Sequence, residues 1–324
     1  MKGGRDPVPA LPGGTRGAYW ALVFLILVWG VNWSIMKIGL RDITPLQFTA
    51  MRLSLGAATL FLVLPLIGRL RWPTRADLGI VLSIGLLQMG LFLALVNTGL
   101  LWVGAGRSAV LAYTTPLWVV PLATFVLGER LTRLKLVGLV VGLAGLAVMF
   151  NPLDFDWSDR NTLLGNGLLM LGALCWAVAI LHVRVHRWTL SPLELAPWQF
   201  LVAAVPFTIV ALWVDGDKPI SWSPSLLAVL AYNGPLATAL GFVAAVSISR
   251  ALPAVTTSLG FLGVPVAGIL FSALILGEPL TLLGLTGPAM VLGGLVIAAI
   301  SDLPKAGKAA AREASATRIR RRSR

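Results

Sequence analysis

Residues 116–132 read "PLWVVPLATFVLGERLT" and residues 265–281 read "PVAGILFSALILGEPLT". In each, a proline stands twelve positions ahead of a Gly-Glu pair, and Leu and Thr follow at matching places. The two windows lie 149 residues apart, and at that offset Gly138 matches Gly287 and Gly145 matches Gly294. Earlier in the chain, Trp29 and Pro45 match Trp176 and Pro192 at an offset of 147. A register held through four or five apolar segments marks a duplicated unit.

Composition says what is duplicated. The chain is 57% hydrophobic and 12% charged, against about 45–50% and 25% for an average soluble protein. Apolar stretches recur at 18–38, 45–67, 78–99, 104–127, 134–150, 165–184, 194–213, 225–249, 253–276 and 282–301. They are of the length needed to cross a hydrocarbon core of about 30 Å. The expected units are therefore 18–150 and 165–301, each with five spans. Five is odd, so the second copy enters the bilayer from the opposite face. The expected fold class is all-α integral membrane, with ten transmembrane helices arranged as two inverted five-helix repeats. Many secondary transporters share that architecture, with the substrate site near the midplane between the halves. Outside the repeats lie an N-terminal segment (1–17), an outer loop (151–164) and a basic tail (302–324).

Charge placement sets the expected orientation. Of 26 Lys and Arg, one side of the alternating spans holds Lys2, Arg5, Arg16, Arg69, Arg71, Arg75, Arg130, Arg133, Lys135, Arg184, Arg187, Arg250 and every cation after Pro304. The positive-inside rule makes that side cytosolic, with both termini inside. The net charge of +13 thus reads as topology and lipid attraction, not nucleic-acid binding. The first apolar run is too long for a signal h-region and is expected to be a retained first helix. Cys175 stands alone, so no internal disulfide is available.

The order of motifs resembles a known family. "LVWGVNWSIMKIGL" (27–40) on the first helix, "PLQFTAMRLSLGA" (45–57) on the second, and "LGERLT" (127–132) and "LGEPLT" (276–281) after the fourth helix of each unit look like the drug/metabolite transporter superfamily. Within it, the ten-helix EamA-type permeases are most similar, possible neighbours being the amino-acid exporters. The resemblance implies export or exchange of a small metabolite in a bacterial inner membrane, with amino acids the commonest class. The partners expected are that solute and membrane lipids. Two alternatives stand beside it: a membrane-embedded enzyme acting on a lipid-linked substrate, and a transporter of another solute class such as a drug, sugar or nucleotide derivative.

Polar and aromatic groups at midplane depth are the candidate site, because unpaired polar groups in hydrocarbon must turn inward. They are Trp29, Asn32 and Trp33 in span one, Gln88 in span three, Tyr113 and Thr114 in span four, and Trp176 in span six. Tyr232 and Asn233 in span eight and Ser258 and Phe261 in span nine complete the set. Amide side chains suit an amino-acid head group, and ring faces suit an apolar or aromatic side chain. Arg52 is placed to meet a substrate carboxylate, while Lys37 snorkels toward the outer face. Pro116 and Pro265, near the middle of spans four and nine, are expected to kink them for gating or packing. Glu129 and Glu278 stand at helix exits as caps for the next span or as gate hinges.

Several functions lack their residues. No Asp or Glu lies at midplane depth, no clustered nucleophile or metal set is present, and the acidic run at 154–159 lacks the glycine and glutamate of a calcium loop. No cofactor or metal is expected, and the enzyme alternative is the weaker one. Gly138 and Gly142 form a close-packing step that suits the bundle interior or a homodimer, although a monomer suffices.

Overall fold

The repeated Gly-Glu phrase is a helix stop written twice. Gly128 and Gly277 take the left-handed conformation, with φ of 65° and 69°, directly after the helices they end. Only glycine enters that region without steric cost. Helix starts are duplicated too. Thr44 and Ser191 each accept a hydrogen bond from the backbone three residues on, and Gln47 and Glu194 return the bond, closing two capping boxes ahead of Pro45 and Pro192.

The computed structural model describes residues 14–128, 132–150, 158–186, 189–252, 260–280 and 282–300. Among these there is no strand, and the helices form ten spans. They are α1 (Gly14–Gly39), α2 (Pro45–Leu66), α3 (Leu78–Gly99), α4 (Ala105–Ala112 with Thr115–Leu127) and α5 (Arg133–Phe150). The second unit supplies α6 (Arg160–Val185), α7 (Pro192–Asp215), α8 (Pro224–Ala251), α9 (Gly263–Leu276) and α10 (Leu282–Ile300). Seven spans are long and apolar enough to cross a membrane; α9 and part of α10 are shorter apolar helices. Large apolar side chains such as Leu62, Phe125, Leu212 and Leu274 point outward, as a lipid-facing surface requires.

Packing follows a two-fold exchange of the units. α1 lies against α8 and α9, as α6 lies against α3 and α4. α2 packs on α8 as α7 packs on α3, while α2 pairs with α7 and α5 with α10. The last pair meets through glycine: Gly145 faces the Gly287 carbonyl and Gly294 faces the Gly138 carbonyl, an exchange of equivalent positions. The close-packing step is thus used inside one chain, against α10.

Two features were not visible in the sequence. Residues Ile84–Leu91 of α3 and Tyr232–Leu240 of α8 form π-helix, at equivalent places in the two units. Such widened turns mark functional sites in many helices. The second concerns the prolines. Pro116 does not kink a continuous helix: α4 breaks at Tyr113 and Thr114, and Pro116 lies in the first turn of the segment that restarts. Pro265 likewise lies in the first turn of α9. A first-turn proline forfeits no hydrogen bond, so both prolines restart helices.

At the end bearing the α2–α3 and α6–α7 connections, Asp77 holds the two units together. Its carboxylate accepts from the backbone and hydroxyl of Thr74, the backbone and hydroxyl of Thr189, and the Leu190 backbone. Burial pushes this carboxyl up, but the bonds from Thr189 and Thr74 outweigh it and hold it well below the usual carboxylate range. A depressed carboxyl contributes stability that is present above the unfolded value of about 3.9 and lost as pH falls below it toward the folded value. Asp77→Asn should therefore lower stability near neutral pH by about 1–3 kcal/mol. It should also flatten the loss of stability on acidification below about pH 4. Thermal unfolding in detergent from pH 7 down to pH 3 checks both; identical profiles for the two proteins would remove Asp77 from this role.

Candidate functional site

The interior of the bundle encloses a cavity of about 880 Å³. α1, α2, α3, α4, α6, α7 and α8 line it, together with Phe261 just ahead of α9. α5 and α10 contribute nothing to it among the described residues. From Met36 and Arg52 at depth, the lining extends to Arg69, Arg71, Thr189 and Ser191 in the α2–α3 and α6–α7 connections. One end of the bundle thus borders the cavity, and among the described residues the other does not.

The far end is tied shut by groups from different spans. Lys37, near the end of α1, donates to the backbone carbonyls of Leu100, Leu101 and Val103 in the α3–α4 connection. This is more than snorkelling, because a fixed set of orphan carbonyls at a helix end satisfies the ammonium. Glu278 accepts from the backbone N–H groups of Ala105 (2.6 Å) and Gly106 (3.1 Å). The expectation that this glutamate caps the next span is corrected: it caps α4, in the other unit. A carboxylate at a helix N-terminus meets unpaired N–H groups and the positive end of the dipole, and the bond crosses between the units. Its repeat partner Glu129 lies outside the described residues.

Seven of the expected site residues line the cavity: Trp29, Asn32, Trp33, Gln88, Tyr113, Trp176 and Phe261. The aromatic groups meet one another and further rings. Trp176 stands edge-on to Phe92 with centroids 4.6 Å apart, and Trp29 tilts against Phe261 at 6.0 Å. Phe200 and Phe242 add a T-shaped pair at 5.7 Å. Trp29 also donates its indole N–H to the Ala237 carbonyl in the π-helical stretch of α8, where the widened turn leaves such groups available.

Three expected residues lie elsewhere. Thr114 is fully buried and returns its hydroxyl to the Leu111 carbonyl. Tyr232 donates to the Val28 carbonyl and Asn233 Nδ2 donates to the Val229 carbonyl, so both donors go to backbone, while Asn233 Oδ1 is buried without a partner away from the cavity lining. A polar group in a membrane helix is satisfied as well by its own helix or a neighbouring one as by a cavity. Depth along the span does not separate these cases. Ser258 lies outside the described residues.

Sequence reasoning passed over Met36, Phe92, Phe200, Thr238 and Glu194 as lining groups. Glu194 supplies the one carboxylate among the described lining residues. It is occupied, accepting from Ser191 and pairing with Arg71 Nε at 3.3 Å. Near the same end, His182 bonds Ser83 (2.7 Å) and His186 bonds the Ala76 carbonyl (2.8 Å), so both act in packing between α6 and α3.

The model of the EamA-like transporter family matches this chain twice, over residues 15–151 and 163–300. The chain belongs to the EamA-like transporter family. Similar proteins include the uncharacterised transporter YoaV of Bacillus subtilis, 28% identical over 85% of this chain and 94% of its own length. A probable amino-acid metabolite efflux pump of Escherichia coli is 26% identical over 85% and 92%. A probable terminal-alkyne amino-acid exporter of Streptantibioticus cattleyicolor is 25% identical over 86% and 92%. A solved crystal structure, 19% identical, superposes with a TM-score of 0.60 over 87% of this chain and 95% of that one, which shows a shared fold. As an EamA-like transporter, the chain is a multi-pass membrane protein of a transport family.

Proposed function

We propose that this EamA-like transporter exports or exchanges an amino acid with an apolar or aromatic side chain across a bacterial inner membrane, by alternating access between its inverted units. The observation that carries the proposal is the cavity itself, walled by indole and phenyl rings, with the Asn32 and Gln88 amides in its lining and the Asn32 Oδ1 buried without a partner. Ring faces offer area and stacking to an apolar or aromatic group, and the amides offer donors and acceptors. The names borne by the E. coli and S. cattleyicolor relatives support the same class. With the arginine-bearing α2–α3 connection in the cytosol, the conformation described is open inward and closed by Lys37 and Glu278 outside. A transport cycle, not catalysis on a lipid-linked substrate, is what this arrangement serves.

Uptake of labelled tryptophan, phenylalanine and leucine into proteoliposomes tests the proposal. At least one should move faster than into empty vesicles. Trp176→Ala should cut that flux by about tenfold, since an aromatic wall contributes on the order of 1.5 kcal/mol beyond its area. Flux of a sugar or nucleotide derivative with none of any amino acid would discard the amino-acid part.

A further inference from the structure

Arg52 on α2 is the one arginine lining the deep part of the cavity, and it is only 6% exposed. Among the described residues no carboxylate pairs with it. Its Nε donates to Thr238 Oγ1 at 2.7 Å, and Nη1 rests on the Met36 sulfur at 2.9 Å. A thioether is a weak acceptor, and Nη2 has no hydrogen-bond partner among the described groups. A guanidinium binds a planar anion through two parallel N–H groups. With Nε fixed by Thr238, the remaining fork is the Nη1/Nη2 edge, closed only by sulfur.

The position is costly by design. A charge inside a membrane span is expensive, and structures keep one there where it serves a site. The equivalent position in the second unit, at the offset of 147, carries the neutral Gln199, also buried. Only one of the two units carries the cation at this place. One helical turn before Met36, Asn32 is 5% exposed, lines the same cavity, and has an Oδ1 without a partner. Thr238 and Met36 orient the arginine; Asn32 offers an acceptor about one turn away.

We infer that Arg52 is the carboxylate anchor of the transported solute, through its Nη1/Nη2 edge, and that Asn32 accepts from the solute's ammonium. This rests on the transporter reading above. It adds that a carboxylate is required while the ammonium is recognised by a neutral acceptor, so decarboxylated amines and carboxamides are refused. A buried cation left unpaired by a ligand lacking the acid enforces that refusal.

Binding to the purified full chain in detergent, read by competition against a radiolabelled amino acid that proves to be carried, tests the assignment. Four probes share one side chain: phenylalanine, phenylalanine carboxamide, phenethylamine and 3-phenylpropionate. The two acids should bind wild-type protein at least about tenfold tighter than the amide and the amine. Arg52→Gln should weaken the acids by about 10- to 100-fold and erase the preference. Thr238→Val, which frees Nε and loosens the orientation of the guanidinium, should weaken them by a few fold. Asn32→Leu should bring phenylalanine down to the level of 3-phenylpropionate without changing the latter. Equal binding of acid and amide by the wild type overturns the assignment even if Arg52→Gln fails to fold. Retention of the acid preference in a folded Arg52→Gln protein also overturns it. In both cases measured amino-acid flux leaves the transporter reading standing. A wild type that carries no amino acid removes the assignment together with the amino-acid part of the reading.

Discussion

Gly294→Ala should unfold at a lower temperature than the native protein, while Gly293→Ala, one residue earlier on α10, should not. This contrast is the sharpest the fold offers. A Cβ at 294 would lie 2.5 Å from the Gly138 carbonyl oxygen and 2.6 Å from the Gly142 nitrogen, both backbone atoms of α5 that cannot swing aside. The helices must then separate, and overpacking of this kind costs about 1–3 kcal/mol. At 293 a Cβ meets nothing within 4 Å, so alanine should be neutral or stabilise by up to about 1 kcal/mol through its higher helix propensity. Van der Waals approach through small residues, not burial from water, holds helices together in lipid, so loss of this seam is felt across both units. Thermal unfolding in one detergent compares the pair directly. Equal midpoints would mean that α5 and α10 do not meet through these glycines.

Glu278→Ala should open the closed end. The two bonds from Glu278 to Ala105 and Gly106 are charge-assisted and join the units across the α9–α10 connection and the start of α4. Hydrogen bonds to a charged group contribute about 1.5–3 kcal/mol, so their removal should shift the balance between the two ends of the cycle by about 10- to 100-fold. Ser272 lies directly beneath, its hydroxyl 2.6 Å from where a Cβ on Gly106 would stand. In a Ser272→Cys protein with Cys175→Ser, an impermeant thiol reagent added outside should label slowly. Addition of Glu278→Ala should raise the rate by at least tenfold, and Glu278→Gln, which keeps one acceptor, by less. Unchanged labelling would assign the closure to Lys37 and its three carbonyls.

Both outcomes turn on features whose visibility in the sequence differs. The glycines were legible because duplication repeats them at fixed offset. The glutamate was legible as a cap, but not as the cap of a helix 173 residues away. Backbone N–H groups at every helix start look alike in sequence, so the chain does not say which one a carboxylate will find. Cavity residues divide in the same way. Trp29 and Trp176 repeat and do line the cavity, whereas Thr114, Tyr232 and Asn233 share their depth and do not. Rotation about a span decides, and in a helix with lipid on one face and apolar packing on the other the hydrophobic pattern carries little directional signal. The π-helical stretches of α3 and α8 shift that rotation again.

The sequence by itself determined the ten spans and their division into two units. Those depend on apolar length and on glycine and proline positions duplicated at a fixed offset, both of which can be read along the chain. Tertiary structure alone decided which polar groups face the cavity, that Arg52 has a weakly closed guanidinium edge, and that Glu278 bridges the two units. Each of these is a meeting of side chains from distant spans. In lipid such meetings are selected by close packing and by satisfaction of buried polar groups, neither of which is written in any one helix.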